Sequence, residues 1–278
     1  MTAQASAQVA SAQAHPQGRR RSFFYRGRED SPFKRILIHA ALWIACAITV
    51  YPVLRVLSVS LRPGNRLLST DLSIIPQGAS FESYRIVLTQ LPFLQWVWNS
   101  LIITVATALI GVILAATSAY AFSRFRFPGR TPGLIFLLAT QMIPASMLII
   151  PLYILAYQLG LIATYRGLVI AYAVTAVPFS IWILKGYYDT IPIDLEEAAQ
   201  IDGASPMQAF WRIIIPLSTP SLAIVFLFDF TSAWNDYLLA RVILGSSEQL
   251  LTWPLGLQRL QGQFLTQWGQ FSAGSLMV

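Results

Sequence analysis

Long apolar runs alternate with short polar segments along most of this chain. A helix needs about 20 predominantly apolar residues to cross a bilayer. Five runs are candidates, at 36–61, at 96–122, within 131–165, at 167–184 and at 220–244. Prolines inside the third and fourth runs are typical of kinked membrane helices, in which neighbouring helices satisfy the freed carbonyls. The pattern predicts an all-α polytopic membrane protein with five complete spans.

Composition agrees with this class. Charged residues make up 11% of the 278 residues and hydrophobic residues 55%. A soluble domain carries about 25% charged residues, so this chain has too few charges to cover a water-facing surface. The single cysteine, Cys46, excludes a disulfide framework and a Cys-based zinc cluster. Residues 1–30 are rich in Ala, Gln, Ser and Arg and are predicted to form a disordered tail.

The distribution of positive charge predicts the orientation in the membrane. The net charge is +7, and seven of the nineteen Lys and Arg residues lie within the first 35 residues, directly before an apolar run. This placement favours anchoring at the cytoplasmic surface over nucleic-acid binding. With the N-terminus inside, the cytoplasmic segments hold twelve Lys and Arg and the external segments six. We therefore expect a multi-pass protein with a cytoplasmic N-terminus.

The segment between the fourth and fifth runs, residues 186–219, is unusually acidic for this chain and is called the elbow below. Pro192 suits the first turn of a helix, where its missing N–H would be unpaired in any case. Gly203 suits the position after a helix end, because glycine readily adopts the left-handed conformation. Ser205 and Gln208 have the spacing of a capping box at the start of a second helix. The elbow is therefore predicted to be two short helices joined by a glycine turn.

The elbow also contains a family motif. Glu197-Ala198-Ala199, Gly203 and Ile213-Ile214-Ile215-Pro216 follow the spacing E-A-A-x3-G-x9-I-x-L-P, with Ile215 in place of Leu. This resembles the EAA loop of importer-type ABC transporter permeases. Asn99-Ser100, residues 124–130 and Trp234-Asn235-Asp236 further resemble the sugar-import branch, and MalG-like maltose/maltodextrin permeases in particular.

The resemblance implies a transport subunit of the bacterial inner membrane, with residues 96–278 as the permease core after a separate first helix at 36–61. It implies four kinds of partner: a second homologous permease, two cytoplasmic ABC ATPase subunits, an extracytoplasmic solute-binding protein and the sugar. The family has six spans in this part, against five complete spans here. Because residues 271–278 look like the first turns of another apolar helix, we expect the apolar run to continue past Val278.

In the resembled family the elbow is the coupling helix that docks on the ATPase. Small residues let a partner approach closely, and acidic residues at the rim provide charge complementarity. The residues assigned to coupling are Glu197, Ala198, Ala199, Asp202, Gly203, Ala204, Ile213 and Pro216. A solvated loop with ordinary helix caps is the alternative reading of the same segment.

Two carboxylates lie within the fifth run. Asp229 and Asp236 are seven residues apart, which puts both on one face of a helix, and ionisable residues inside a span mark functional sites by default. They are candidates to line a polar pathway with Thr231 and Asn235, and Trp234 is a candidate to stack on a sugar ring. Alternatively, Asp236 pairs with Arg241 and Asp229 with a neighbouring helix.

Catalytic motifs are missing from the sequence. It contains no G-x-x-x-x-G-K-[S/T], no H-E-x-x-H and no G-x-S-x-G, so we expect no ATP hydrolysis by this chain, no catalytic residues, no metal and no cofactor. Three alternatives stay open at this point: a permease for another small solute such as glycerol phosphate, a secondary transporter with aspartates as a proton relay, and an intramembrane enzyme. A secondary transporter has no evident use for the elbow motif.

The orientation is testable by labelling single cysteines. In a Cys46→Ser background, Ile75→Cys should react with a membrane-impermeant thiol reagent in intact cells, and Pro128→Cys should react only after permeabilisation. The charge bias is the reason for this expectation. Labelling at position 128 but not at position 75 in intact cells would refute the orientation.

Overall fold

The computed structural model describes residues 32–64, 73–245, 247–262 and 266–278, so the predicted tail at 1–30 lies outside the described residues. The described parts are helical, with one isolated bridge between Gln261 and Thr266. The helices are α1 (Pro32–Ser60), α2 (Glu82–Thr89), α3 (Phe93–Arg124), α4 (Arg130–Gln141), α5 (Ala145–Gln158), α6 (Tyr165–Tyr188), α7 (Asp194–Ile201), α8 (Pro206–Ala209), α9 (Ile215–Leu217), α10 (Thr219–Asn235), α11 (Leu238–Leu244), α12 (Trp253–Gln258) and α13 (Trp268–Met277).

The chain divides into two compact units, residues 1–56 and 57–278. In the first unit, the described part of α1 is apolar and exposes large side chains such as Trp43 and Ile48. In the second unit, α3 and α6 pack along each other over most of their length, and α10 lies against both. Ala108, Ala115 and Ala119 are fully buried, and such small side chains let membrane helices approach closely.

Two predicted spans are interrupted. The run within 131–165 forms α4 and α5, which are separated at residues 142–144. Pro144 disfavours helical geometry in the residue before it and becomes the N-cap of α5. The run at 220–244 ends as a helix at Asn235, because Asp236 turns extended and its carboxylate accepts the Ala240 N–H of α11 at 3.1 Å. The kink expected in the third run is therefore a break between two helices, and the fifth run is divided at Asp236.

Three helices, α1, α3 and α6, are long and apolar enough to cross a membrane, and the number rises to five if each of two bent helix pairs counts as one span. The upper figure equals the number of predicted runs, but its second bent pair covers Pro206–Leu217 and Thr219–Asn235 rather than the whole run at 220–244. Six spans, as the family resemblance implies, are not confirmed by the described residues.

At the end of α3 remote from the elbow, Asn99 organises the loop after α11. Its Nδ2 donates to the carbonyls of Gln249 and Leu251 at 2.9 Å each, and its Oδ1 accepts from the Tyr165 hydroxyl at 2.8 Å. Because an unpaired polar group is costly inside a bundle, these bonds hold the segment before α12 against α3.

Gly111 of α3 lies against Asp229 of α10. A Cβ atom at this position would collide with Oδ2 of Asp229, whose residue is only 3% exposed. The other carboxylate oxygen, Oδ1, accepts from the Ser180 hydroxyl of α6 at 2.8 Å. Gly111 therefore leaves room for a carboxylate that contacts all three central helices.

Gly111→Ala should destabilise the bundle, because overpacking a tight contact costs about 1–3 kcal/mol. The matched control is Gly133→Ala in α4, whose new Cβ would lie 3.5 Å from the Phe122 ring, an ordinary contact. Thermal unfolding in detergent, followed by size-exclusion chromatography, should show a lower midpoint for the first variant only.

The double variant Gly111→Ala/Asp229→Ala separates the collision from the loss of glycine itself. Since it removes the colliding oxygen, it should regain part of the midpoint lost in Gly111→Ala. If the two substitutions instead lower the unfolding midpoint additively, the collision between the new Cβ and Asp229 is contradicted.

Candidate functional site

The first elbow helix, α7, begins at Asp194, so Pro192 precedes it rather than lying in its first turn as predicted. Pro192 still contributes to the helix start, because its carbonyl accepts the Leu195 N–H at 3.4 Å. Glu196 and Glu197 follow Asp194 in the first turn, where negative charge interacts favourably with the helix dipole.

The glycine turn forms as predicted. Gly203 has φ +91°, in the left-handed region. Its N–H bonds the Gln200 carbonyl at 3.0 Å and the Ala204 N–H bonds the Ala199 carbonyl at 2.9 Å, which is the Schellman pattern of a helix end. The turn therefore fixes the angle between the two elbow helices through bonds within the turn itself.

The second elbow helix starts with the predicted capping box. The Ser205 hydroxyl accepts the Gln208 N–H at 3.3 Å, and the Gln208 side chain accepts the Ser205 N–H at 2.8 Å. The chain then passes through a π-helical turn, Phe210–Ile214, and a 76° bend before α10. Phe210 and Ile214 are buried in the bundle, whereas the predicted coupling residues Ile213 and Pro216 are partly exposed and exposed.

The outer surface of the elbow combines acidic, small and large apolar residues. Ala199 and Ala204 are partly buried. Sequence reasoning missed Ile201, 87% exposed, and Met207, 63% exposed; both occupy variable positions of the motif, which gave no signal for them. The surface called the elbow face below consists of the exposed residues Glu197, Ala198, Ile201, Asp202, Gly203 and Met207.

Glu196, the neighbour of Glu197, points the opposite way. It is buried, and its Oε1 accepts from Nε of Arg124, the last residue of α3, at 2.5 Å. Sequence reasoning treated Glu196 only as a favourable charge at a helix start. Arg124 was a usable signal for an inward-facing acidic residue. It is the only charged residue in the α3 sequence, and a buried arginine needs an acidic partner.

A second polar contact joins the ends of α3 and α6. Asp189 accepts from the Lys185 ammonium at 2.6 Å and from the Ser123 hydroxyl at 2.7 Å. Burial alone would raise the pKa of the Asp189 carboxyl, but the hydrogen bonds from Lys185 and Ser123 hold it below its ordinary value. The carboxylate is therefore ionised at neutral pH.

The candidate pathway residues divide between two faces of α10. Asp229 and Asp236 both turn toward α6, where Ser180 bonds the first and the Tyr172 hydroxyl bonds the second at 2.9 Å. Asp236 thus has a tyrosine partner. Thr231 and Asn235 are instead exposed, and their side chains bond carbonyls of α10 itself.

Trp234 belongs to an aromatic row that the sequence reasoning did not identify. Phe226 and Phe230 stack with centroids 6.2 Å apart, and Phe230 and Trp234 stack at 5.3 Å. Trp253 continues the row and donates its indole N–H to the Trp234 carbonyl at 2.9 Å. The i, i+4, i+8 spacing in the sequence was a usable signal, because such residues share one side of a helix.

No group of His, Cys, Asp and Glu in the described ranges has the arrangement of a metal site. The described residues therefore include two exposed features, the elbow face and the partly exposed aromatic row of α10.

Comparisons with known proteins agree on one family. Residues 107–278 match the family described as binding-protein-dependent transport system inner membrane component. The galactooligosaccharides transport system permease protein GanQ of Bacillus subtilis is 39% identical over 83% of this chain and 82% of its own length. The maltose/maltodextrin permease protein MalG of Salmonella typhimurium is 36% identical over 90% of this chain and 89% of its own.

A solved structure is also similar. It is a bacterial ABC transporter involved in the import of the acidic polysaccharide alginate, and one of its chains superposes with a TM-score of 0.77 at 26% identity. The superposition covers 91% of this chain and 93% of that one.

Proposed function

The chain belongs to the family of binding-protein-dependent transport system inner membrane components, and we propose that it forms the translocation pathway for maltose, maltodextrin or a similar oligosaccharide. It is a sugar-translocating permease subunit of an ABC importer and not an enzyme. The oligosaccharide class is supported by the relatives, whose names specify galactooligosaccharides and maltose/maltodextrin.

The proposed assembly contains a second homologous permease, two cytoplasmic ABC ATPase subunits and an extracytoplasmic solute-binding protein. ATP is hydrolysed by the ATPase subunits. The chain lies in the inner membrane with its N-terminus and elbow on the cytoplasmic side, and its exposed apolar helix faces contact lipid or the second permease. Its basic residues anchor it at the membrane surface, and it binds no nucleic acid.

The observation that supports coupling most strongly is the elbow face. A tightly capped helix–turn–helix exposes Ile201 and Met207 beside the acidic Glu197 and Asp202. Large exposed apolar side chains rimmed by charge mark protein-binding surfaces. The ATPase subunit is the partner that this surface fits, with Gly203 and the small Ala198 allowing a close approach.

The proposed sugar contacts lie on α10. Trp234 presents an aromatic surface, and Thr231 and Asn235 provide polar atoms beside it. Asp229 lies on α10 and Asp236 directly follows it, and both hold this segment against α6 through Ser180 and Tyr172. We therefore assign the sugar contacts of α10 to the Trp234 ring and its polar neighbours Thr231 and Asn235.

The elbow proposal predicts the effects of three substitutions. Gly203→Val should distort the turn, because a β-branched residue strongly disfavours positive φ, and Gly203→Asn should be milder. Glu197→Lys should preserve the turn and reverse charge on the elbow face. Gly203→Val and Glu197→Lys should both insert normally, weaken co-purification of the ATPase subunits and abolish substrate-stimulated hydrolysis.

The matched control is Glu248→Lys, which reverses the charge of an exposed acidic residue far along the chain from the elbow. It should leave ATPase association unchanged. A solvated loop predicts little effect of Glu197→Lys, since surface substitutions usually alter stability by under about 0.5 kcal/mol, and it predicts normal ATPase association for all of these variants. Normal sugar uptake by Gly203→Val and Glu197→Lys at normal expression would show that the elbow does not couple.

The cargo proposal is tested by uptake of labelled maltodextrin into proteoliposomes that contain the whole importer. Trp234→Ala should weaken uptake, because loss of one stacking contact costs about 1 kcal/mol. Phe228→Ala is the control, since Phe228 lies on the same helix but packs edge-to-face against Phe179 instead. No uptake of any oligosaccharide by the wild-type importer, or equal loss in both variants, would contradict the assignment.

A further inference from the structure

The junction between α3 and the elbow contains a nearly buried ion pair. Nε of Arg124 lies 2.5 Å from Oε1 of Glu196, and the two side chains are only 10% and 4% exposed. Arg124 ends the longest helix of the bundle, and Glu196 lies in the first turn of α7. The pair therefore joins the membrane core directly to the elbow.

The remaining polar atoms of this pair are also bonded. The Tyr120 hydroxyl, one turn before Arg124 on α3, donates to Oε2 of Glu196 at 2.7 Å. Nη2 of Arg124 donates to the Ile191 carbonyl at 2.9 Å, and Nη1 donates to the Ser123 hydroxyl at 3.2 Å. Charge-assisted bonds are short and directional, so α3 holds both α7 and the chain that leads into it.

A half-open groove of about 380 Å³ lies beside the ion pair, between the end of α3 and the second elbow helix. It is lined mainly by apolar atoms of residues that include Thr117, Phe125, Pro206 and Met207. Next to it the rings of Tyr120 and Phe210 pack with their centroids 4.7 Å apart. To this apolar contact the bonds of Arg124, Glu196 and Tyr120, called the strut below, add a directional constraint on the angle between the elbow and α3.

Energetics agree with a geometric role. The desolvation penalty of a buried ion pair often cancels its attraction, and replacing both partners by apolar residues is frequently neutral or stabilising. Stability alone thus gives little reason for a charge pair at this place. A need for fixed orientation does give a reason, because charge-assisted hydrogen bonds are directional whereas apolar contacts are not.

We propose that the strut is the positioning element that makes the elbow and α3 move as one body, so that displacement of the elbow by the ATPase reaches the sugar pathway. This inference rests on the proposed docking of the ATPase at the elbow face. From α3 the displacement passes to α6 and α10, which pack along it. Glu197 and Glu196 then have separate tasks on neighbouring positions: the first faces the ATPase and the second holds the elbow to the bundle.

The test is the double variant Arg124→Met/Glu196→Met in the complete importer. The elbow face is unchanged, so the ATPase subunits should co-purify as with wild type. ATP hydrolysis should continue, but sugar transported per ATP hydrolysed should fall about tenfold, a loss typical of coupling between distant sites. A purely structural ion pair predicts an unchanged ratio, and a wild-type ratio in the double variant would overturn the proposal.

Two further variants complete the design. Tyr120→Phe removes a single hydroxyl and should lower the same ratio to a smaller extent; if the double variant does not accumulate, a wild-type ratio in Tyr120→Phe overturns the proposal. The control Glu82→Met/Arg85→Met removes an exposed Arg–Glu pair with an N–O distance of 2.7 Å and should leave the ratio unchanged.

Failure of the docking proposal has a different signature. If Glu197→Lys and Gly203→Val retain the ATPase subunits and normal uptake, docking at the elbow face is wrong. If those variants lose the ATPase while Arg124→Met/Glu196→Met transports normally per ATP, only the strut is wrong.

Discussion

The ion pair between Arg124 and Glu196 is the contact on which the relation between the elbow and the membrane helices depends. Helix α3 contains no other charged residue, and its last residue binds both the start of α7 and the Ile191 carbonyl before it. The Tyr120 and Phe210 rings pack beside the pair, and the polar bonds add direction to this apolar contact between elbow and bundle.

Within the bundle, close packing transmits this constraint. Small buried residues bring α3 against α6, and Gly111 leaves room for the Asp229 carboxylate between α3, α6 and α10. Interiors packed this closely respond to displacement as rigid bodies rather than by gradual deformation. A shift of α3 therefore changes the position of α10 and of the aromatic row that includes Trp234.

Features encoded by neighbouring residues were predictable from the sequence, and features that need a tertiary partner were not. The glycine turn at Gly203 and the capping box at Ser205 follow from local chemistry and were confirmed. The helix break at Asp236 was missed because it depends on bonds to Tyr172 and to the next helix. The inward orientation of Glu196 was missed for the same reason, since nothing near it in sequence indicates Arg124.

Rigid attachment of the elbow can be measured directly as a distance between spin labels. Asp194→Cys on α7 and Ile113→Cys on α3, in a Cys46→Ser background, are both exposed in this chain. In the complete importer the distance between the two labels should be the same without nucleotide and with ATP trapped, and it should broaden when Arg124 and Glu196 are both replaced by Met. A distance that changes on ATP trapping in the otherwise wild-type chain would contradict motion of the elbow and α3 as one body.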